Sequence, residues 1–167
     1  MRQADTTTLA PFYKGWDQYQ RFLVEAIAPL TDEQLALRAA LPLRPIWLLA
    51  AHIIGARVGW FHDVMGEGDA TLAAYDPWDQ NGAPPRTAAE LVEGLEATWA
   101  MIQDCLDRWT PAALEDTISR TRTRSGRETR ETFTRQWIIW HVIEHDLHHG
   151  GELFLTLGMH DLPTPDL

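Results

Sequence analysis

The sequence predicts an all-α protein: a four-helix bundle in up-down-down-up order, with a long crossover between the second and third helices. Four stretches repeat apolar residues at steps of three and four, the period of helices that face a core. Roughly 20 residues separate the second stretch from the third, whereas antiparallel neighbours need only a few. A connection of that length can carry the chain back along a helix of about 30 Å, so these two helices are expected to run parallel.

The composition limits the class of protein. The chain has 167 residues, a size typical of one domain covering residues 1–167. Its 14 basic and 24 acidic residues give a formal charge of -10, which disfavours binding to nucleic acid. No apolar run is long enough to cross a membrane, and the N-terminus lacks the apolar stretch of a signal peptide. We therefore expect a cytoplasmic protein without membrane association.

The first two helices are expected at residues 8–30 and from Pro45 to Gly66. Thr31 caps a short turn after the first helix, and Pro45 suits a first helical position. Residues 66–86 are rich in Gly, Pro, Asp and Asn, which predicts a long loop. The two apolar stripes are Phe12, Trp16, Tyr19, Leu23, Ala26 and Leu30, then Ile46, Leu49, Ile53, Ala56, Trp60 and Val64.

The third helix is expected at residues 87–109, because Thr87 and Glu90 have the spacing of a capping box. Cys105, the one cysteine of the chain, falls on its apolar stripe. A free cysteine in that position is expected to pack in the core, and a single cysteine excludes an internal disulfide.

The fourth helix is expected at residues 132–157, with Gly158 as a left-handed cap. Its centre is apolar nearly all round apart from its histidines, which indicates a helix enclosed by neighbours. The tryptophans on the helix stripes are expected to pack in the core or at a dimer interface.

Histidines on the second and fourth helices are candidate metal ligands. His141, His145 and His149 form one stripe, and residues four apart lie one turn above another, so His145 and His149 can bind one cation. A third imidazole from a facing helix would leave coordination positions open, as in catalytic zinc sites, and imidazole also suits nickel, iron and copper. His52 is expected at the same depth in the bundle as His149.

The runs AAHIIGARVGWF (residues 50–61) and HVIEHDLHHGGEL (residues 141–153) resemble the DinB-like (YfiT-type) superfamily. The resemblance implies a four-helix bundle of the expected topology. In that family one histidine of the second helix and an H-x-x-x-H pair of the fourth bind a divalent metal, usually nickel, zinc or iron. At the matching positions, the resemblance implies the ligands His52, His145 and His149.

The chain departs from the family pattern directly after the last implied ligand. The family often continues as H-R-G-Q, whereas His149 is followed here by Gly150, Gly151 and Glu152. Neither changed position is a ligand in the family, so the change concerns the surroundings of the site. Glycines inside a helix cost about 1 kcal/mol each relative to alanine, which predicts a close approach by another helix or a dimer partner.

Two other metal motifs compete with this assignment. His141 to His145 match H-x-x-E-H, in which both histidines bind zinc and the glutamate is a general base. Enzymes of that class take a further ligand well downstream, and few residues follow His145. A ferritin-like di-iron bundle needs Glu-x-x-His on two helices, and the sequence contains no such motif.

The run TISRTRTRSGRETR stands out in an acidic chain. Arg120, Arg122 and Arg124 alternate with threonine, which places them on one face of a short strand, and Ser125 with Gly126 can turn a hairpin. Two roles remain open: a charged strand edge in solvent, or an anion-binding lip near the metal that suits a carboxylate or a thiol.

The resemblance also implies an activity. Some members of the family transfer or isomerise small-molecule substrates with a low-molecular-weight thiol such as mycothiol, bacillithiol or glutathione. It therefore implies a homodimeric, metal-dependent thiol S-transferase or isomerase in which the metal ion activates a thiol or water. A metal-dependent hydrolase and a non-catalytic stress-response protein stabilised by its metal remain alternatives. The sequence identifies no catalytic or thiol-binding residue.

Overall fold

The computed structural model describes residues 7–124 and 126–166, except for the side chain of Arg124. This part of the chain is mostly helical. A 3-10 turn at Ala10–Tyr13 leads into the helices, which are α1 Lys14–Ile27, α2 Asp32–Leu35, α3 Ile46–Arg57, α4 Ala88–Arg108 and α5 Arg135–Met159. Two strands, β1 Thr117–Arg124 and β2 Arg127–Thr134, lie between α4 and α5.

The all-α class predicted from the sequence is too simple, because β1 and β2 form a small antiparallel sheet. Its register pairs Thr117 with Thr134 at the base and Arg124 with Arg127 at the tip. Gly126 in the connection has a φ of 75°, a value that glycine adopts without steric cost. Ser125, the other expected turn residue, lies outside the described residues.

The first helical region is shorter than the expected range of residues 8–30. It is regular only in α1, and Phe12 falls in the preceding 3-10 turn with 68% of its surface exposed. The other members of its apolar stripe are buried. The expected cap at Thr31 is present, and it forms a reciprocal capping box with Gln34 at the start of α2.

The second long helix begins one residue later than expected. Pro45 is the N-cap of α3, with extended backbone angles, and Ile46 is the first helical residue. After Arg57 the helix continues as a π-helix over Val58–Val64. It ends as expected at Gly66, whose φ of 75° is the left-handed conformation typical of a residue that follows a helix.

The expected long loop at residues 66–86 contains a ten-residue 3-10 helix, Ala70–Asp79. Asp69 caps it by accepting a hydrogen bond from the backbone N–H of Thr71. Its buried side chains are Leu72 and Trp78, and it packs against α3 and α4. The Gly, Pro and Asp content concealed this element because a 3-10 helix does not show the 3.6-residue period of an α-helix.

The last two long helices follow their local start signals. The capping box of Thr87 and Glu90 opens α4. Thr134 caps α5, so α5 begins after the expected residue 132, because β2 occupies the chain up to Thr134. The expected cap at Gly158 is wrong: α5 continues through it to Met159, and the left-handed residue is Asp161, with a φ of 55°.

The long helices enclose two clusters of buried apolar side chains. One cluster is formed around Leu23, Ile27, Ile53, Leu91, Leu95 and Leu153. The other is formed around Trp16, Phe61, Trp99, Ile102, Ile139 and Val142. Between the stretches of α3 and α5 that supply the two clusters lie Arg57 and Asp146, which are both fully buried.

Pairs of contacting side chains align the helices with one another. Gln20 Nε2 of α1 donates to the carbonyl oxygen of Leu95 of α4 at 3.1 Å. The rings of Trp16 and Trp99 on the same two helices are 5.4 Å apart. Trp16 Nε1 of α1 donates to Asp146 Oδ2 of α5 at 2.7 Å.

None of the helices in the described residues combines the length and apolarity that a membrane-spanning segment requires.

Candidate metal centre

Three histidines from two helices meet at the surface between α3 and α5. His52 comes from α3, and His145 and His149 lie one turn apart on α5. One potential ligand atom of each lies within 4.8 Å of the other two. The ring centroids are 4.6 Å apart for His52 and His149, and 5.2 Å apart for both pairs that include His145. The structure thus brings together the three residues that the resemblance implied as ligands.

Two of the three imidazoles are held by carboxylates. Nδ1 of His52 donates to Asp79 Oδ2 at 2.6 Å, and Nδ1 of His149 donates to Glu152 Oε2 at 2.8 Å. A carboxylate only accepts, so each hydrogen bond places the proton on Nδ1 and leaves Nε2 with its lone pair free. This arrangement of carboxylate and histidine is typical of metal sites, where it fixes the ring and increases its basicity.

The third imidazole, His145, has a buried Nδ1 atom without a hydrogen-bond partner among the described residues. Burial, together with a smaller effect of the four neighbouring histidines, lowers the pKa of His145 to about 4. Burial also lowers the pKa of His149, against the opposing effect of Glu152. Both rings are therefore neutral near pH 7, which is the form that binds a metal. The donor set and the orphaned nitrogen fit a divalent cation.

A cavity of about 240 Å³ opens over His145 and His149, and its other lining residues are His141, Glu144 and His148. Glu144 and His148 are exposed on the outer side of α5, so a small molecule from solvent can reach the triad there. A second cavity of about 360 Å³ shares Glu152 with the site and is lined mainly by apolar residues of the α2–α3 connection and of α5.

The other histidines have different surroundings. His141 stacks on the ring of Trp137, with centroids 4.7 Å apart, and belongs to no group of three metal-ligating side chains in the described residues. The H-x-x-E-H alternative therefore gains no third ligand. His62 and His160 each pair a ring nitrogen with a backbone carbonyl oxygen, as expected for histidines without a metal.

Arg120 of the hairpin lies beside an aromatic cluster that continues through His141 to His145. Trp60, Phe133, Trp137 and His141 pack ring against ring. The Arg120 guanidinium lies 4.3 Å from the centroid of Trp60 and pairs with Glu131 across the sheet at 2.8 Å. Arg120 is thus already neutralised by a neighbour. Arg122 is exposed, and the side chain of Arg124 lies outside the described residues.

A buried ion pair joins α3 to α5 close to the triad. Arg57 Nη2 donates to Asp146 Oδ2 at 2.7 Å, and Asp146 directly follows His145 in the chain. Arg57 Nη1 also donates to Gln20 Oε1 of α1 at 2.8 Å and to Thr98 Oγ1 of α4 at 3.4 Å. The network therefore connects all four long helices beside the histidines.

Sequence reasoning missed the roles of Asp79 and Glu152. Glu152 is three residues from His149, a spacing that places two side chains on one helix face, so this pair was detectable. Asp79 lies in the segment expected to be a loop, and no local signal connects it with His52.

Cys105 is fully buried, and burial raises its pKa to about 12. This agrees with the expected packing role of the cysteine rather than with a role as a nucleophile.

Comparison with known proteins identifies a family whose model matches most of the chain. The family model described as the DinB superfamily matches residues 16–153, a range that includes all three histidines of the triad. No curated protein sequence matches the chain.

A solved structure is similar over nearly the whole chain. It is a DinB-like protein from Bacillus cereus ATCC 10987, with a TM-score of 0.70 and 20% sequence identity. The match covers 96% of this chain and 97% of that one. At this level of identity the likeness concerns the fold alone.

Proposed function

The chain belongs to the DinB superfamily, and from this premise we propose that it is a metal-dependent enzyme in which His52, His145 and His149 hold one divalent cation. The observation that supports this most is the convergence of three imidazoles from two helices, with their potential ligand atoms within 4.8 Å of one another. Nickel, zinc and iron are the ions we propose, because imidazole nitrogen suits all three.

The residues around the triad prepare it for a cation. Asp79 and Glu152 hold the protons of His52 and His149 on Nδ1, so the Nε2 atoms of both rings keep their lone pairs. Burial keeps His145 uncharged at neutral pH. Little free energy is therefore needed to remove protons before the ion binds. The two carboxylates also hold the rings of His52 and His149 in place.

The cavity over His145 and His149 supports an enzyme rather than a closed structural site. Three protein ligands leave coordination positions for a further molecule, as in catalytic zinc sites. A divalent ion bound there supplies Lewis acidity, which lowers the pKa of a coordinated thiol or water near neutral pH. We propose a low-molecular-weight thiol as this co-substrate, and transfer or isomerisation of a small molecule as the reaction class, with hydrolysis as the alternative when water takes the thiol's place.

The decisive experiment for the ligands is the metal content of purified variants. His52→Ala, His145→Ala and His149→Ala should each lose stoichiometric metal, because each removes one of three donors. His141→Ala should keep most of it. Elemental analysis of the four proteins measures this. Metal retained in His149→Ala and lost in His141→Ala would instead support the H-x-x-E-H assignment.

A spectroscopic experiment separates an enzyme from a non-catalytic protein in which the metal only connects α3 to α5. The cobalt-substituted protein should show an exchangeable solvent ligand, and its visible spectrum should change when a low-molecular-weight thiol is added. Four protein ligands without exchangeable water would contradict the enzymatic proposal. A screen for thiol-dependent turnover with the native metal then identifies the reaction.

We also propose the up-down-down-up arrangement for α1, α3, α4 and α5. It is supported by the order of the contacts along each helix. Trp16 and Gln20 of α1 meet Trp99 and Leu95 of α4 in reverse order. His52 and Arg57 of α3, and Trp60 of the π-helix that continues it, likewise meet His149, Asp146 and Trp137 of α5 in reverse order. Trp16 and Tyr19 of α1 meet Asp146 and Leu147 of α5 in the same order.

A further inference from the structure

A second group of metal-ligating side chains lies on the outer side of α5. His148 and Glu152 are one helical turn apart, as His145 and His149 are, but three residues further along the helix. Their side chains are 65% and 47% exposed, so they face solvent rather than α3. One potential ligand atom each of His148, His149 and Glu152 lies within 4.8 Å of the other two.

The carboxylate of Glu152 faces both histidines. Its Oε2 atom accepts the hydrogen bond from His149 Nδ1 at 2.8 Å, whereas Oε1 lies 3.6 Å from His148 Nε2. The longer distance exceeds that of a hydrogen bond, so these two atoms face each other without a direct bond. Two imidazole nitrogens and a carboxylate oxygen form a donor set that zinc and nickel accept.

We propose that His148 and Glu152, with Nδ1 of His149 as the third ligand, form a second and weaker site for a divalent cation of the zinc or nickel type. The proton that Nδ1 donates to Glu152 leaves to solvent when this cation binds, so the His149 ring bridges the two ions as an imidazolate when both sites are filled. The site is outside the triad that carries the proposed function, although it shares His149 with that triad. It is weaker because His148 and Glu152 are largely exposed and lose rotamer freedom when they are held on an ion, and because His149 must release a proton.

Occupation of this outer site weakens the inner one. When the outer cation takes the Glu152 carboxylate, His149 loses the acceptor that orients its ring toward the triad. Loss of such a supporting partner typically lowers metal affinity about 10- to 100-fold. The coupling is reciprocal, so an occupied triad equally lowers the affinity of the outer site. A rising cation concentration therefore lowers the affinity of the triad for its ion.

The test is equilibrium dialysis of the metal-stripped full chain against buffered Zn²⁺, from nanomolar to millimolar free concentration. The wild-type chain should bind two equivalents in separate steps, the second at least about tenfold weaker than the first. His148→Ala should lose the weaker step and keep the affinity of the tighter one. Glu152→Gln should lose the weaker step and also weaken the tighter one.

Two further variants keep the outcomes distinct. His160→Ala removes an exposed histidine elsewhere and should keep both steps. His52→Ala should lose the tight step and keep a weaker one, and if it keeps the tight step, the triad assignment fails while His148→Ala still tests the outer site. Saturation of the wild-type chain at one equivalent up to millimolar Zn²⁺, or two equivalents in His148→Ala, would overturn the outer site.

Discussion

At the scale of single residues, the neighbouring glycines Gly150 and Gly151 of α5 differ in how closely other side chains pack against them. The sequence predicts a close approach at both Gly150 and Gly151. The structure confirms an approach by another helix at Gly150, where a Cβ atom would lie 2.3 Å from Tyr19 Oη of α1. At Gly151 a Cβ would meet nothing within 4 Å among the described residues, so an approach by a dimer partner there stays a prediction. Gly150 is buried and Gly151 is exposed.

This difference predicts opposite effects for two alanine substitutions. Gly150→Ala should lower the free energy of unfolding by about 1–3 kcal/mol, because Tyr19 is itself nearly buried and must move aside. Gly151→Ala should raise it by about 0.4–1 kcal/mol, because alanine has less backbone entropy to lose in the helix. Urea denaturation of the two variants measures both. Equal effects would contradict the contact with Tyr19.

His145, whose buried Nδ1 atom has no hydrogen-bond partner within the described part of the chain, should titrate far below the ordinary range of a histidine. In the metal-free protein the pKa of His145 is lowered from 6.5 to about 4, chiefly by burial. Between these values the unfolded chain binds a proton that the folded chain does not, so this residue makes the folded state less stable as the pH falls from 6.5 toward 4. NMR titration of the His145 ring measures the pKa.

The stability of His145→Gln provides the matched comparison. Without the imidazole, the free energy of unfolding should fall less steeply over the same pH range. A ring that titrates near pH 6.5 would show that His145 is hydrated rather than enclosed by α3 and its histidine neighbours.

At the scale of helices, the triad depends on the alignment of α3 with α5. Arg57 lies five residues after His52, and Asp146 directly follows His145, so their ion pair aligns the two segments that carry the ligands. Both side chains have no exposed surface. A buried ion pair contributes little net stability relative to a well-packed apolar pair, but it restricts how two helices can fit together.

Substitution of both members of this ion pair should therefore weaken metal binding while the protein keeps much of its stability. Arg57→Met or Asp146→Leu alone should lower the free energy of unfolding by about 3–5 kcal/mol, because each leaves an unpaired buried charge. The double variant should recover much of that loss. It should nevertheless bind metal at least about tenfold more weakly, because the spacing of His52 from His145 is no longer fixed.

Thermal unfolding and a metal-binding isotherm of the same samples measure the two effects. A folded double variant with wild-type metal affinity would show that packing alone aligns α3 with α5.

At the scale of the whole molecule, the outer face of α5 combines the entrance to the triad with exposed apolar side chains. Those with about half or more of their surface exposed are Trp140, Leu147, Leu155 and Met159. By helix geometry these four residues lie on one side of α5, and exposed apolar residues grouped on one face are a common sign of an interaction site. This face is the support we see for the homodimer that the family resemblance implies.

We therefore expect a homodimer in solution. Sedimentation analysis at micromolar concentration should give twice the chain mass of 19.0 kDa. Trp140→Glu places a charge on the outer face of α5 and should shift the protein to the monomer mass. Leu41→Glu changes an apolar residue outside that helix that is even more exposed than Trp140, and it should leave the mass unchanged. A monomeric wild-type chain would contradict the homodimer.

The sequence by itself determined those features that depend on neighbours along the chain. The caps at Thr31, Thr87 and Gly66 follow from hydrogen bonds and backbone angles within one turn, and the structure has all three. The four-residue spacing of His145 and His149 places them on one helix face by geometry alone. The hairpin also followed from a local pattern, although the all-α class omitted it.

Only the tertiary structure decided the contacts between distant segments. Asp79 reaches His52 from a 3-10 helix that has no α-helical period, and Arg57 meets Asp146 across 89 residues of sequence. Gly150 differs from Gly151 through a tyrosine on another helix. In each case the partner is set by how side chains from separate helices fill the same space, and no pattern within one helix contains that information.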